Sequence, residues 1–542
     1  MPLTPPRLLV ALLLLPSAIL AQRAPDHGSA VIIVGQEPNT PVPTLLGAKA
    51  NTDVSDLLFW RLARPGPGLL TTDEKSFEPQ LARSWTRRDS LTLVFDLDPR
   101  AKWHDGVPVT ARDVLFSFAR MRDSTVDPQR ALLLRYLASV TAEGDRRVVL
   151  RFKRVYAEQL YDATWHVQLL PAHLVDTIPP GRFAASAFVR DPVGSGPYRW
   201  VRRDPGRQVE LAANKDFFLG APRLDRVVFL LVRDPEAALN LMLDGTADIY
   251  EGVPPGSGPP RLAANPALRL LTTPSFSVVY LLFNQRAYGN REQPHPILAD
   301  AAVRRALTMA IDRGPLLQSA YGAYGLPTNA PVAQGHWTYR LVPKGPGNDV
   351  AAARALLRKQ GWSDSDGDGV LDKGGTPLSL RLNLPSTSAP RVAMAPQIQE
   401  QLRRAGVRLE LIRLDGPVWV QRRTRGEFDI DFASATMDPS PAGIVQSWSC
   451  AGRAGSNYGQ YCDPAVDSWF EQAISSPRGG ERGWRAGYAA LQNDAPAAFL
   501  ATPPVLLVVH RRYRGVSLRP ESMYGDLWRW SVDPGRRLAR DR

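Results

Sequence analysis

Cysteine is almost missing from this chain of 542 residues: only Cys450 and Cys462 occur, so at most one intrachain disulfide is available. Lysine is scarce as well. Only eight of the 66 basic residues are lysines, set against 53 Asp and Glu for a formal net charge of +13. A basic surface can steer acidic ligands or touch anionic membranes. No cluster of Lys and Arg interleaved with aromatics is present, however, which argues against a nucleic-acid partner. The excess of arginine reads as a solvated face and an arginine-biased genome. Enzyme signatures are missing too: there is no Gly-x-Ser-x-Gly elbow, no His-Glu-x-x-His and no Gly-x-x-x-x-Gly-Lys phosphate loop. Gly194-Ser195-Gly196 comes nearest to a phosphate cradle, but Pro197 removes the next backbone donor, so a tight turn is the better reading. The seven histidines, His27, His104, His166, His173, His295, His336 and His510, are scattered without ligand spacing. No cofactor is expected.

Long apolar runs are missing beyond the N-terminus. There, Arg7 precedes an apolar run over 8–15 and a small-residue segment with a plausible cut after Ala21. The run is roughly half the ~20 residues needed to cross a bilayer, so residues 1–21 read as a cleaved signal peptide. The next residue is Gln22, with no cysteine nearby for a lipid, so a soluble periplasmic protein is expected. Residues 22–542 are too many for one hydrophobic core and imply two or three domains.

What the chain does have is concentrated in residues 81–121, LARSWTRRDSLTLVFDLDPRAKWHDGVPVTARDVLFSFARM. Leu91, Leu93, Phe95 and Leu97 alternate with Thr92, Val94 and Asp96, the period of a strand with one buried face. Asp98-Pro99 ends it. A short extended stretch at 102–104 runs into Asp105-Gly106, a dipeptide that accepts the positive φ of a tight turn. Thr110 and Asp113 then have the spacing of a helix capping box, followed by an apolar face of Val114, Leu115, Phe118 and Met121.

Taken together, this string resembles the signature of the oligopeptide, dipeptide and nickel family of extracytoplasmic solute-binding proteins that feed ABC importers. Further blocks match in order: 193–198 (VGSGPY), 214–218, 222–229, and 242–249 with Gly245 and Asp248. They continue with 300–313 (DAAVRRALTMAIDR), 324–331 (YGLPTNAP), 348–362, 428–438 and 456–461 (SNYGQY). Several collinear blocks are more specific than any one motif. The resemblance implies an α/β, two-lobed Venus flytrap with an extra inserted domain. Mapped here, 29–55, 190–277 and 502–542 would build lobe one, 56–189 the inserted domain and 278–501 lobe two. The apolar runs at 279–284 and 503–509 would be the hinge.

The resemblance also implies a function and a site. The expected role is capture of a peptide or peptide-like solute between two lobes by a monomer, for delivery to the transmembrane subunits of an ABC permease, without catalysis. Use of the same fold for sensing, chaperoning or a non-peptide solute is the alternative. Trp448, Tyr458 and Tyr461 fall in the segment of lobe two that commonly faces the cleft in this family, with Asn457 among them. Asn284 and Tyr324 complete the candidate set. In peptide-binding relatives an aspartate in an Ala-Asp-Tyr segment meets the peptide amino terminus. The matching region here is 435–441, where Asp438 is the only carboxylate; a helix cap or turn is its other reading. In an exported chain a Cys450–Cys462 bridge, enclosing 456–458, is favoured over two free thiols. Asp364, Asp366, Asp368 and Asp372 alternate around glycines as in a calcium loop, but the twelfth position is Gly375 instead of a bidentate glutamate, leaving a solvated turn equally open.

Overall fold

The computed structural model describes residues 28–46, 48–124, 126, 131, 133–254 and 258–541. The expected signal peptide lies outside the described residues. None of the described helices is long and apolar enough to cross a membrane.

Two large sheets and a smaller one organise the chain. The first has seven strands in the order Leu268–Pro274, Pro504–His510, Ile249–Tyr250, Ser29–Val34, Arg226–Leu231, Gln208–Ala213 and Tyr198–Asp204. The second has six, in the order Leu326–Pro327, Ala497–Thr502, Ser277–Phe283, Ile430–Thr436, Ser379–Pro385 and Arg408–Leu414. Each is mixed: Ser29–Val34 runs parallel to Arg226–Leu231, and Ser379–Pro385 runs parallel to both Arg408–Leu414 and Ile430–Thr436, while the remaining pairs of long strands are antiparallel. Helices pack on these sheets, so the fold is the two-lobed α/β arrangement the resemblance implies. The third sheet is antiparallel, Ala82–Asp89, Thr92–Leu97, Arg147–Phe152 and Leu137–Ala142, and belongs to the extra domain.

Hydrophobic packing groups these units. One continuous core joins Ile32 and Phe229 of the seven-stranded sheet to Phe95 and Val148 of the four-stranded sheet. The six-stranded sheet buries separate clusters on its two faces, around Leu281 and Phe432 on one and Tyr280 and Phe499 on the other. Among the described residues, only two strand connections carry the chain between the large sheets, at 275–276 and at 503. They lie side by side: Pro274 pairs with Pro504, and Ser275 Oγ donates to the Pro503 carbonyl at 2.7 Å. The apolar runs expected to form the hinge are thus strands inside the sheets, and the change of sheet falls just beside them. Two adjacent connections leave rigid-body closure as the soft motion.

The motif of residues 81–121 folds as its chemistry dictates. Gly106 has φ +92°, Trp103 N–H donates to the Val107 carbonyl at 2.8 Å, and the Asp105 carboxylate accepts from Val107 N–H at 3.1 Å. Thr110 and Asp113 form the capping box of helix Ala111–Arg122, which buries Val114, Phe118 and Met121 while Leu115 is half-buried. The 193–198 block is a strut. A Cβ on Gly194 would lie 1.9 Å from the Leu58 carbonyl oxygen, and both Ser195 N–H and Gly196 N–H donate to that oxygen at the end of helix Lys49–Leu58. His104 completes the joint, its Nδ1 accepting from Gly194 N–H at 3.0 Å, which leaves Nε2–H to donate to the Gly196 carbonyl at 3.1 Å. Burial pushes this imidazole down to about 4, so it stays neutral.

Candidate ligand-binding site

Between the two large sheets lies a cavity of about 470 Å³. The side of the first sheet contributes Thr52 and Glu521, the extra domain Arg61, Trp165 and His166, and the second sheet Tyr280, the strand end at 435–438 and Trp448. Trp448 is seated by edge-to-face contacts with Tyr280 (5.5 Å) and Phe499 (5.2 Å). Opposite, the Arg61 guanidinium lies 4.6 Å from the Trp165 ring centre, donates from Nε to the Trp165 carbonyl at 2.8 Å and pairs through Nη1 with Asp56 at 2.9 Å. Aromatic walls with a few fixed polar groups suit a ligand with an apolar body and charged ends.

The structure brings two of the seven candidate residues to this cavity, Asp438 and Trp448. Asp438 is exposed at its edge, beyond strand Ile430–Thr436. It does not cap the following turn, because Ser440 accepts from Ala442 N–H in that role. The other five lie outside the lining. Asn284 donates to the Gly426 and Phe428 carbonyls and accepts from Arg286 N–H, so its amide is spent on the turn. Asn457 donates to the Ser449 and Tyr461 carbonyls, tying the disulfide loop. Tyr461 is buried and donates to Asp494 at 2.7 Å. Tyr458 packs on the second-lobe core beneath the Arg423 guanidinium, 4.6 Å from its ring centre, and Tyr324 packs against the cluster around Ile33. In each of these the side chain faces protein partners instead of the cleft.

Sequence reasoning missed Arg61, Trp165, Tyr280, Glu521 and Glu158. Glu158 is buried where the extra domain meets the second lobe. Thr71 Oγ1 and Ser440 Oγ (2.7 Å) hydrogen-bond its two oxygens, and Trp337 Nε1 donates to Thr71 Oγ1 at 3.2 Å. Burial pushes its carboxyl up to about 7, against the lowering pull of the two hydroxyls. Nearby, Ala157 N–H donates to the Ser476 carbonyl at 3.1 Å and Arg154 pairs with Glu471 at 2.7 Å, so the same seam carries two further links.

Cys450 and Cys462 form a disulfide, with Cα atoms 4.3 Å apart. The aspartate loop is a self-capped turn. Asp364, Asp366 and Asp368 place oxygens within 4.8 Å of one another, all three exposed, but those carboxylates already accept from the N–H groups of Gly367, Gly369, Asp368 and Val370. Asp372 accepts from Ser365 instead.

Two lobes on paired strand crossings, with an aromatic cavity between them, define a bilobal ligand-binding protein. The chain belongs to the bacterial extracellular solute-binding proteins, family 5, whose model matches residues 76–456. The oligopeptide-binding protein AppA of Bacillus subtilis is 26% identical over 494 residues, 89% of this chain and 87% of its own. The structure of that AppA in complex with a nonapeptide superposes with a TM-score of 0.78 at 24% identity, covering 94% of this chain and 99% of AppA. The ABC transporter substrate-binding protein CtaP of Listeria monocytogenes matches with TM-score 0.79 at 23% identity, over 94% and 99% of the two chains. NikZ of Campylobacter jejuni in complex with Ni(L-His) gives 0.77 at 23%, over 94% and 100%.

Proposed function

We propose that this protein is the periplasmic receptor of an ABC importer, which closes its lobes on a short peptide or peptide-like solute and hands it to the membrane permease. The observation that carries this reading is the cavity itself, which draws on the first lobe, the extra domain and the second lobe at once. A ligand there contacts every wall only in the closed form, so binding energy shifts the population toward closure. The kinship with AppA along 89% of the chain supports a peptide as the solute. In this reading Asp438 meets a ligand amine and Trp448 walls the apolar part, while no chemical step is assigned to the protein. The apolar run after Arg7 exports it, cleavage after Ala21 releases it without a lipid, and it works as a monomer. The working units are 29–55 with 190–277 and 502–542, then 56–189, then 278–501, a division supported by which sheet each strand joins.

Native mass spectrometry of protein taken from its own periplasm without refolding, followed by identification of whatever co-purifies, tests the reading. A mixture of short peptides is the expected result. A single non-peptide compound would retain the two-lobed receptor and overturn the ligand class.

A further inference from the structure

A cation on the cavity wall is held in place with part of its hydrogen-bonding capacity left over. A guanidinium presents a planar fork of N–H donors, and part of the fork on Arg61 is spent. Nε donates to the Trp165 carbonyl at 2.8 Å and Nη1 to Asp56 Oδ1 at 2.9 Å, with the Trp165 ring centre 4.6 Å from the guanidinium carbon. Asp56 is secured by other donors as well: Gln168 Nε2 reaches Oδ1 at 3.0 Å and Ser522 Oγ reaches Oδ2 at 2.6 Å. The guanidinium is thus fixed from its Nε and Nη1 side. Nη2 is different. It makes no hydrogen bond to any described residue, yet it is not among the buried orphan atoms, so the 11% of the side chain that remains exposed includes this nitrogen. Arg61 lines the cavity. A guanidinium fixed in this way has already given up the rotamer freedom that a mobile surface arginine loses on meeting an anion.

The second lobe supplies a charge of opposite sign. Asp438 is exposed at the edge of the same cavity. Its charge is felt in the extra domain, where burial first and then Asp438 raise the Tyr161 hydroxyl well above its ordinary range. Tyr161 stacks on Trp165 with ring centres 6.1 Å apart, and Trp165 carries Arg61. Acid and base therefore lie near one aromatic pair, on the two sides of the cleft. Among the described residues Arg61 is ion-paired with Asp56 and not with Asp438. A ligand that offers an amine to one and an acid to the other joins the lobes through both of its ends, which favours the closed form. Arginine suits the second task, because its planar donors match a carboxylate.

We propose that Arg61 is a specificity-determining residue of this receptor: Nη2 binds a ligand carboxylate, terminal or from an acidic side chain, across the cavity from the amine facing Asp438. The inference rests on the peptide reading above and adds the chemistry of the ligand's second charged end.

Calorimetry on the whole exported chain with Ala-Phe-Ala, its carboxyl-terminal amide and Ala-Phe-Glu-amide, whose only carboxylate is a side chain, tests it. The amide of Ala-Phe-Ala is expected to bind at least about tenfold more weakly than the better of the two acids, the scale of one hydrogen bond to a charged group. Arg61→Gln should close that gap by weakening the acid toward the amide. Arg61→Lys, which can keep the ion pair with Asp56 but has no Nη2, should narrow it and serves if Arg61→Gln fails to fold. Preference for Ala-Phe-Ala assigns the carboxylate to the chain terminus and preference for Ala-Phe-Glu-amide to a side chain, and either supports the inference. Equal affinities for all the peptides, or a gap undiminished in both variants, overturn it while the binding itself preserves the peptide reading. No binding of any of them overturns both.

Discussion

Two groups of acids in this protein are built to opposite specifications. Where the strand beginning at Ser29 meets the 512–541 segment, Asp248 is fully buried and fully engaged: Oδ1 accepts from Arg512 Nε at 2.9 Å and Arg540 Nη2 at 2.6 Å, and Oδ2 from Arg512 Nη2 and Val31 N–H at 2.9 Å each. Asp541 takes the remaining Arg512 nitrogen and both donors of Ser29. Around the cleft, Glu158 has two hydroxyls and no cation, Glu521 has one arginine and an empty oxygen, and Asp438 faces open space. A saturated ion cluster fixes one geometry, because any movement strands a buried charge. An unsaturated one leaves energy to be gained when the lobes close or a ligand arrives. The difference separates what holds the first lobe together from what lets the two lobes respond.

The strongest way to break the comparison is at Arg512. Arg512→Ala strands Asp248 and Asp541 in the core and should cost ~3–5 kcal/mol of unfolding free energy, the range for removing one partner of a buried pair. Urea denaturation followed by tryptophan fluorescence measures it, and a loss under ~1 kcal/mol would place this cluster with ordinary surface pairs. Ligand affinity of the molecules that remain folded should not change, since the cluster does not line the cavity.

Glu158 sharpens the other side. Its carboxyl is raised to about 7 when buried at the seam, against 4.5 for the free group. The proton is therefore held more tightly in the closed form, so closure is fully favoured below about pH 4.5 and the benefit is lost as pH rises through about 7. The groups around it are Asp162 and His166 on its own helical segment, Tyr156 and Arg135 from the extra domain, and Asp438 from the second lobe. Apparent ligand affinity is expected to fall between pH 6 and pH 8, measured by calorimetry in matched buffers, and Glu158→Gln should flatten that slope by roughly tenfold in Kd. A Glu158→Gln protein with an unaltered profile would assign the pH response elsewhere.

Much of this was legible in the sequence, for a physical reason. The Asp105-Gly106 turn, the Thr110–Asp113 cap and the Gly194–Gly196 strut are set by local chemistry: a positive φ, a hydroxyl three residues from a carboxylate, and a backbone approach that admits no Cβ. The Cys450–Cys462 bridge spans a separation of only 12. What stayed hidden depends on partners far away in the chain. Glu158 is defined by Ser440, 282 residues later, and Glu521 by a cavity whose other walls come from every domain. For the same reason Tyr461 and Tyr458 looked like cleft aromatics: nothing local discloses that Asp494 and Arg423 claim them.

The smallest effect on stability should come with a clear effect on binding. Asp438 is exposed and caps nothing, since Ser440 supplies the turn's acceptor, so Asp438→Asn should leave the melting temperature unchanged. If it meets the ligand amine, Kd for a short peptide should rise about tenfold, the cost of one charge-assisted hydrogen bond. Unchanged affinity would reduce Asp438 to a passive wall residue.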